Sequence, residues 1–471
     1  MRISANVVAK SSFALLVFAA LLLAIASRPA KRLSDFDQSF YLTIAYDLDR
    51  HGVFSNGVFD DVDSTVAKPS AGMFFAPVYP WLVLAATKLD RRFAAAVECA
   101  VESNHGRRDG AGCDIYARPL HVMHALFLTL GVIAIGFAAE LIIAHRLAFL
   151  TAGLLAAIGL ALEAELFSYI MTESVTFSLY SLLALSLAAA WKKGKRRYFA
   201  AAGLLLGLLC LTRPSYVVLA IAIPTLCQIS RRLVTPERQR SVAAQLLAFG
   251  VSFSVVLAPW ALRNALLVGK LGLTEEYGSA SLVERFAYDD MTTRAFLLAF
   301  PYCLPEIGPR AIAALFGPQA MARFDWREPA GFFRQGRAQR AALTRAHGRL
   351  DPIIGDLMRA EWRQNGWRYL AVTLPLAWCG LWVAQIWSLF LLPIFVVLGT
   401  QAARRSKPLL VLYAAPAIVM VGVHAAVANH YTRYNLGLIG PMSIAGAWTT
   451  LWVASTLGRR GCAAMQKLQI L

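Results

Sequence analysis

The sequence predicts an all-α polytopic integral membrane protein, and three observations lead there. Only 16% of the residues are charged while 58% are hydrophobic, against roughly 25% charged in ordinary soluble domains. Apolar stretches close to the length that crosses a ~30 Å hydrocarbon core recur along the whole chain. About ten transmembrane helices are expected from them, more apolar surface than a single soluble core could hide. The third observation is where the basic residues fall.

The formal charge of +18 would suit a nucleic-acid binder if it formed one patch. It does not. Short segments at 1–10, 144–147, 192–197, 231–241, 403–408 and 457–471 hold 18 Lys and Arg and one acid, Glu237. The other 28 basic residues are nearly balanced by 27 acids. That is the pattern of Lys/Arg-rich loops retained in the cytoplasm, and it places both termini inside. No nucleic-acid partner is expected.

In chain order, the first membrane helix is expected at 9–27. Arg2, Lys10 and the "AIAS" sequence imitate a signal peptide, but the later topology works with this helix uncleaved. A long outer segment, 28–118, follows. Within it "FYLTIAYDLDRHG" reads as a short interfacial helix, with Phe40, Ile44 and Leu48 at i, i+4 and i+8 and Tyr41 beside them. "FFAPVYPWLVLAATKL" is broken by Pro77 and Pro80 and is expected to be interfacial or half-inserted. Further spans are expected at 119–143, 147–163, 173–191, 198–212, 214–230 and 242–261. The polar stretch 263–366 reads as a second outer region. Residues 367–402 read as one long span or an interfacial helix plus a span, and 409–427 and 437–456 complete the set. The chain thus divides into an N-terminal membrane module at 1–262 with the first extracytoplasmic loop at 28–118, an outer region at 263–366, and C-terminal helices at 367–471. No internal repeat of the transporter kind is visible in the sequence.

Seven cysteines are present, with no CxxC pair. Cys210, Cys227 and Cys379 lie in apolar runs and read as small buried hydrophobes. Cys99 and Cys113 lie in a polar outer stretch and are candidates for a disulfide in an oxidising compartment.

Asp35 and Asp37 stand just before the interfacial helix. A carboxylate there can cap the helix or favour its positive end. At the mouth of a membrane bundle it can also take a proton from an acceptor hydroxyl. Here "DQSFYLTIAYDLDRHG" resembles the first-loop motif of the GT-C glycosyltransferases, in particular the protein O-mannosyltransferase and aminoarabinose-transferase branch, with Asp37, Tyr41, Ala45 and Gly52 fitting its layout. "APVYPW" is similar to the Pro-x-Tyr-Pro element that follows. "TESVTFSLYSLLAL" resembles the segment with a second acid, here Glu173. "AAGLLLGLLCLTRPS", "APWALRNALLVGKLG" and "HYTRYNLGLIGP" resemble the Thr-Arg-Pro, Pro-Trp-x-x-Arg-Asn and late Arg-Tyr elements. Six motifs stand in order across 35–441, each at an expected outer boundary. Residues 91–117 and roughly 290–365 carry none. One departure is Gln38, where the family's pair has a second acid; it weakens any two-carboxylate or metal site there.

The resemblance implies a membrane glycosyltransferase that moves a sugar from a polyprenyl-phosphate donor to an acceptor hydroxyl, with inversion, at the outer face of a bacterial inner membrane. It implies Asp37 as base with Asp35 as understudy, and Glu173 positioning the acceptor or a cation. Arg263, Arg433, Arg213 and, more weakly, Lys68 are the phosphate candidates, since a guanidinium grips phosphate through paired donors. Arg and Lys at span ends also simply snorkel. Tyr41, Tyr79, Tyr434 and Asn264 complete the candidate substrate contacts, although tyrosines also form interfacial belts. His424 and His430, six apart, do not share a helix face as metal ligands would. Glu163 and Glu165 read as solvated. No cofactor is expected, and a divalent cation has no support in the residue pattern. The expected partners are the lipid-linked sugar, membrane lipid, and an acceptor that is a lipid A-type glycolipid, a polysaccharide or a protein hydroxyl. The competing readings are a transporter or flippase for an anionic or lipid-linked solute, with its ionisable groups at membrane depth, and a non-catalytic scaffold.

Overall fold

In hydrocarbon the backbone must satisfy its own hydrogen bonds, so an apolar stretch that enters the bilayer becomes a helix. The computed structural model describes residues 5–29, 31–33, 37–57, 68–105, 112–232, 240–404, 408–428 and 431–468. Among them the regular structure is helical, with no strand. The first half contains α1 (Ala5–Ala26), α2 (Gln38–His51), α3 (Val78–Leu89), α4 (Arg91–Asn104), α5 (Arg118–Ile143), α6 (Ala148–Leu162), α7 (Ala164–Ser168), α8 (Glu173–Lys193), α9 (Arg196–Cys210), α10 (Leu219–Arg232) and α11 (Arg240–Leu267). The second contains α12 (Tyr277–Phe286), α13 (Thr293–Tyr302), α14 (Ile307–Phe316), α15 (Pro318–Ala322), α16 (Phe332–His347), α17 (Ile354–Gly380), α18 (Ile386–Arg404), α19 (Pro408–Val427) and α20 (Ile439–Leu468).

Among the described residues, six helical stretches are long and apolar enough to cross a membrane: α1, α5, α8, most of α11, most of α19, and Thr432–Leu457 leading through α20. The remaining expected spans are shorter. Residues 147–163 and 198–212 become α6 and α9. Pro214 turns 214–230 into a 3-10 segment, Pro214–Val218, followed by α10. Residues 367–402 resolve into the end of α17 and all of α18. The break between them places Ala384 and Gln385 at φ of +57° and +51°, a left-handed conformation that costs a residue with a Cβ.

Close packing in the bundle uses small residues, which let backbones approach in place of a hydrophobic driving force. A Cβ on Gly203 of α9 would stand 2.1 Å from the Phe249 carbonyl oxygen of α11. Among the described residues, basic side chains of α1 and of the last turn of α8 lie at one end of the bundle. Lys10 pairs with Glu140 at 2.7 Å, Lys192 donates to the Leu141 carbonyl at 2.7 Å, and Gln245 donates to the Gly194 carbonyl at 2.7 Å. The beginnings of α2 and α8, the end of α9 and the segment before α20 meet at the other end.

Several expectations need correction. The helix α2 forms as expected, and protein covers much of its surface. Its Ile44 side packs with Phe54, Phe75 and Trp260, while Leu42 and Ala45 join the main core, so both flanks are covered by protein. Cys379 is not an isolated hydrophobe; it forms a disulfide with Cys303 and ties the end of α13 to α17. Glu163 is half-buried rather than solvated, accepting from the Ala384 N–H, and burial pushes its carboxyl up. Two expectations hold: Glu165 is exposed, paired with Lys31 at 2.9 Å, and Cys99 and Cys113 are joined by a disulfide, closing α4 onto the segment before α5.

The outer region 263–366 is helical. The helices α12 and α16 pack so closely that a Cβ on Gly336 would meet the Glu284 carbonyl at 2.4 Å. Arg285 of α12 is fully buried. It pairs with Asp289 at 2.8 Å, and donates to the carbonyls of Ala425 in α19 at 3.0 Å and Tyr369 in α17 at 3.1 Å. Those bonds hold the α12–α16 roof onto the bundle.

Candidate active site

Asp37 occupies the N-cap position of α2 yet makes no side-chain capping bond. Its carboxylate turns instead toward Arg433, 3.5 Å away, from the short 3-10 segment that precedes α20. Four hundred residues of chain close this contact, because the starts of α2 and α8 and the late loop all reach the same end of the bundle.

Behind this pair lies a second. Glu173, in the first turn of α8, is bonded by Arg213 at 2.8 Å, and Arg433 Nε lies 3.8 Å from the same oxygen. Arg213 sits there because Pro214 ends the helical run of α9 and turns the chain. The two arginines also share one ring: their guanidinium carbons lie 4.9 Å and 5.3 Å from the Tyr434 centroid. Burial separates the roles. The Glu173 side chain is 3% exposed, sealed behind its arginines, whereas that of Asp37 is 48% exposed. Among the described residues, the buried Arg213 Nη1 and Glu173 Oε2 have no hydrogen-bond partner, and Arg213 Nη1 is therefore a donor available to a ligand oxygen.

A cavity of about 430 Å³ opens over Asp37 and Arg433, within the range of roughly 300–1,000 Å³ usual for small-molecule sites. A small side lobe reaches Tyr41, Glu173 and Arg213. The far wall is supplied by the roof: Glu284 of α12, Arg337 and Arg340 of α16, and Trp326. Glu284 pairs with Arg340 at 2.8 Å. Burial pushes its carboxyl above the ordinary carboxylate range, against the pull of Arg340 and Arg337, and the charge of Asp37 adds to the push. Across both lobes four guanidiniums face three carboxylates, Asp37, Glu173 and Glu284. The surplus positive charge suits an anionic ligand group.

Asp37, Glu173, Arg213, Arg433, Tyr41 and Tyr434 therefore converge. Arg263 does not join them. Its guanidinium donates to the backbone carbonyls of Gly72 at 2.5 Å and Phe54 at 3.0 Å and lies 4.9 Å from the Trp260 ring, outside the lining of either lobe. Asn264 is fully buried and donates to the Gly272 carbonyl at 2.9 Å. Together they brace the first outer loop. Tyr79 is also buried, with its hydroxyl 2.8 Å from His124 Nε2. Lys68 is exposed, away from the cavity lining. His424 is bonded to Asn435 at 2.9 Å. Asp35 and His430 lie outside the described residues. The roof residues Glu284, Arg337, Arg340 and Trp326 were missed, and the one sequence signal for them was weak: 332–347 holds four arginines and no acid.

No protein-family model and no curated protein matches this sequence. Among solved structures, the chain is similar to that described as ArnT from Cupriavidus metallidurans bound to undecaprenyl phosphate. The two are 17% identical over 94% of this chain and 78% of that one, with a TM-score of 0.37.

Proposed function

We propose that this cavity is the active site of a membrane glycosyltransferase that transfers a sugar from a polyprenyl-phosphate donor to an acceptor hydroxyl at the outer face of the membrane. The observation that carries the reading is Asp37: an open carboxylate at a helix cap that caps nothing and meets Arg433 on the wall of a cavity at the end of the helical bundle. The donor class is the one the sequence motifs imply. The outward orientation rests on the basic residues at the opposite end of the bundle.

In this reading Arg433 and Arg213 hold the donor phosphate, with Arg213 Nη1 supplying an unused donor. Asp37 takes the proton from the acceptor hydroxyl as its oxygen attacks the anomeric carbon. The bond from that carbon to the phosphate oxygen breaks, and the phosphate leaves on the arginines. A single displacement of this kind inverts the anomeric centre. Phosphate is a good leaving group, so charge stabilisation by the guanidiniums outweighs any need for an acid. Glu173 fixes the two arginines and keeps their charge in place.

The test is Asp37→Asn protein in proteoliposomes supplied with a polyprenyl-phosphate-linked sugar. Turnover is expected to fall by roughly 10²–10⁴-fold, the usual contribution of a positioned base, with the fold intact by size-exclusion and thermal unfolding. Transfer at the unsubstituted rate removes Asp37 from the reaction and the reading with it.

A further inference from the structure

The proposed chemistry uses one wall of the cavity and leaves the other without a task. That second wall is charged and aromatic. The Glu284 side chain, 11% exposed, keeps one oxygen on Arg340 at 2.8 Å, and Arg337, which also attracts that carboxylate, lines the same cavity. Trp326, Phe333 and Tyr431 surround these groups, with the Phe333 and Tyr431 rings edge to face at 5.6 Å. A lid built only to exclude water would not place a buried carboxylate and two guanidiniums in the cavity, because each polar group there costs desolvation unless something bonds it.

A pyranose ring satisfies all of these groups together. Its vicinal hydroxyls donate to a carboxylate and accept from guanidinium N–H groups, and its apolar C–H face covers an aromatic ring. A peptide segment would meet the aromatics but carries few hydroxyls, and an acyl chain would offer no bond to any of the charges. We infer that the roof wall, with Glu284 and Arg340 at its centre and Trp326, Phe333 and Tyr431 around them, is a carbohydrate subsite for the acceptor, so that the hydroxyl attacked at Asp37 belongs to a glycan. This rests on the transferase reading for the word acceptor, though not for the binding of sugar. Glu284 is then a positioning residue: it orients the ring whose hydroxyl Asp37 deprotonates.

The experiment uses the full-length protein in nanodiscs, in two arms. The first is saturation-transfer NMR with a panel of soluble α- and β-linked hexose oligosaccharides, comparing unsubstituted protein with Glu284→Gln and Trp326→Ala, and with Arg359→Gln, an exposed site outside the cavity, as control. Saturation transfer to at least one oligosaccharide is expected, lost in the two roof variants and kept in the control. The second arm measures transfer from the polyprenyl-phosphate donor to whichever oligosaccharide binds. Glu284→Gln should raise the acceptor KM roughly ten- to a hundredfold, the worth of a hydrogen bond to a charged group, with a smaller change in kcat. No binding by any member of the panel, or binding indifferent to both roof variants, overturns the subsite. A fall in kcat at constant KM overturns it as well, since a merely structural Glu284 would act that way. If unsubstituted protein neither transfers nor hydrolyses the donor, the transferase reading fails by itself, and the first arm still decides the roof.

Discussion

Asp37 and Arg263 occupy comparable places, each in a motif at an outer boundary, and their surroundings give them different work. Among the described residues Arg433 is the one ion-pair partner of Asp37, whose half-exposed side chain lines the cavity. Arg263 is consumed by two backbone carbonyls from the first outer loop and by the faces of Trp260 and Phe54. Arg263→Met is therefore expected to act on stability. Two charge-assisted bonds at a half-buried site are worth about 2–4 kcal/mol together, and the loss should appear as a lower unfolding midpoint. The donor KM of the protein that does fold should stay within about threefold of the unsubstituted value. A large rise in donor KM without loss of stability would instead make Arg263 a phosphate ligand. Spacing and residue type were enough to single out both residues. What they could not supply was the competition for the guanidinium from carbonyls 191 and 209 positions upstream.

At the level of helices, legibility followed periodicity and length. The long apolar stretches α1, α5, α8, α11 and α19 were readable within a few residues, because nothing except a helix satisfies their backbone in hydrocarbon. The helix α2 was readable as a helix but not in its packing. Phe40, Ile44 and Leu48 mark an apolar face without saying whether lipid or protein will cover it, and protein does. The α12–α16 segment was opaque for another reason: its helices are short, charged and held by tertiary contacts rather than by their own pattern. The α9–α11 contact yields a direct prediction. Gly203→Leu must drive its side chain into the Phe249 backbone, and overpacking of this kind costs about 1–3 kcal/mol or more. Denaturant unfolding in detergent should register that loss, while Gly250→Ala, where a Cβ has open space on α11, should register little. Equal effects would mean that the two helices are not in close contact.

Across the whole molecule, the ends differ in charge and in task. Among the described residues, one end holds Lys10 and Lys192 beside the turns between helices; the other holds the cavity, with four arginines against three acids. The orientation this implies is open to labelling. A cysteine introduced by Arg359→Cys on α17 should react with a membrane-impermeant maleimide in intact spheroplasts, and one introduced by Lys195→Cys between α8 and α9 only after permeabilisation, against unsubstituted protein as control. The reverse pattern would put the cavity in the cytoplasm and remove the argument for an outward-facing reaction. Distribution of charge alone was enough to expect this polarity. That the second outer region folds back over the first to finish the cavity was not visible, since nothing local in the sequence records which distant wall a short helix will face.

The buried Arg285–Asp289 pair has a consequence for traffic through the cavity. Swinging α12 and α16 away from the bundle would strand that guanidinium without Ala425, Tyr369 and the stacking of the Tyr369 ring. Asp289 travels with Arg285, so the loss is the two carbonyl bonds, about 3–6 kcal/mol for bonds from a charged group, and fewer than roughly one molecule in a hundred would stand ajar at any moment. A ligand of the cavity is therefore expected to enter and leave with the roof in place, and its exchange is governed by the fixed shape of the opening rather than by a hinge.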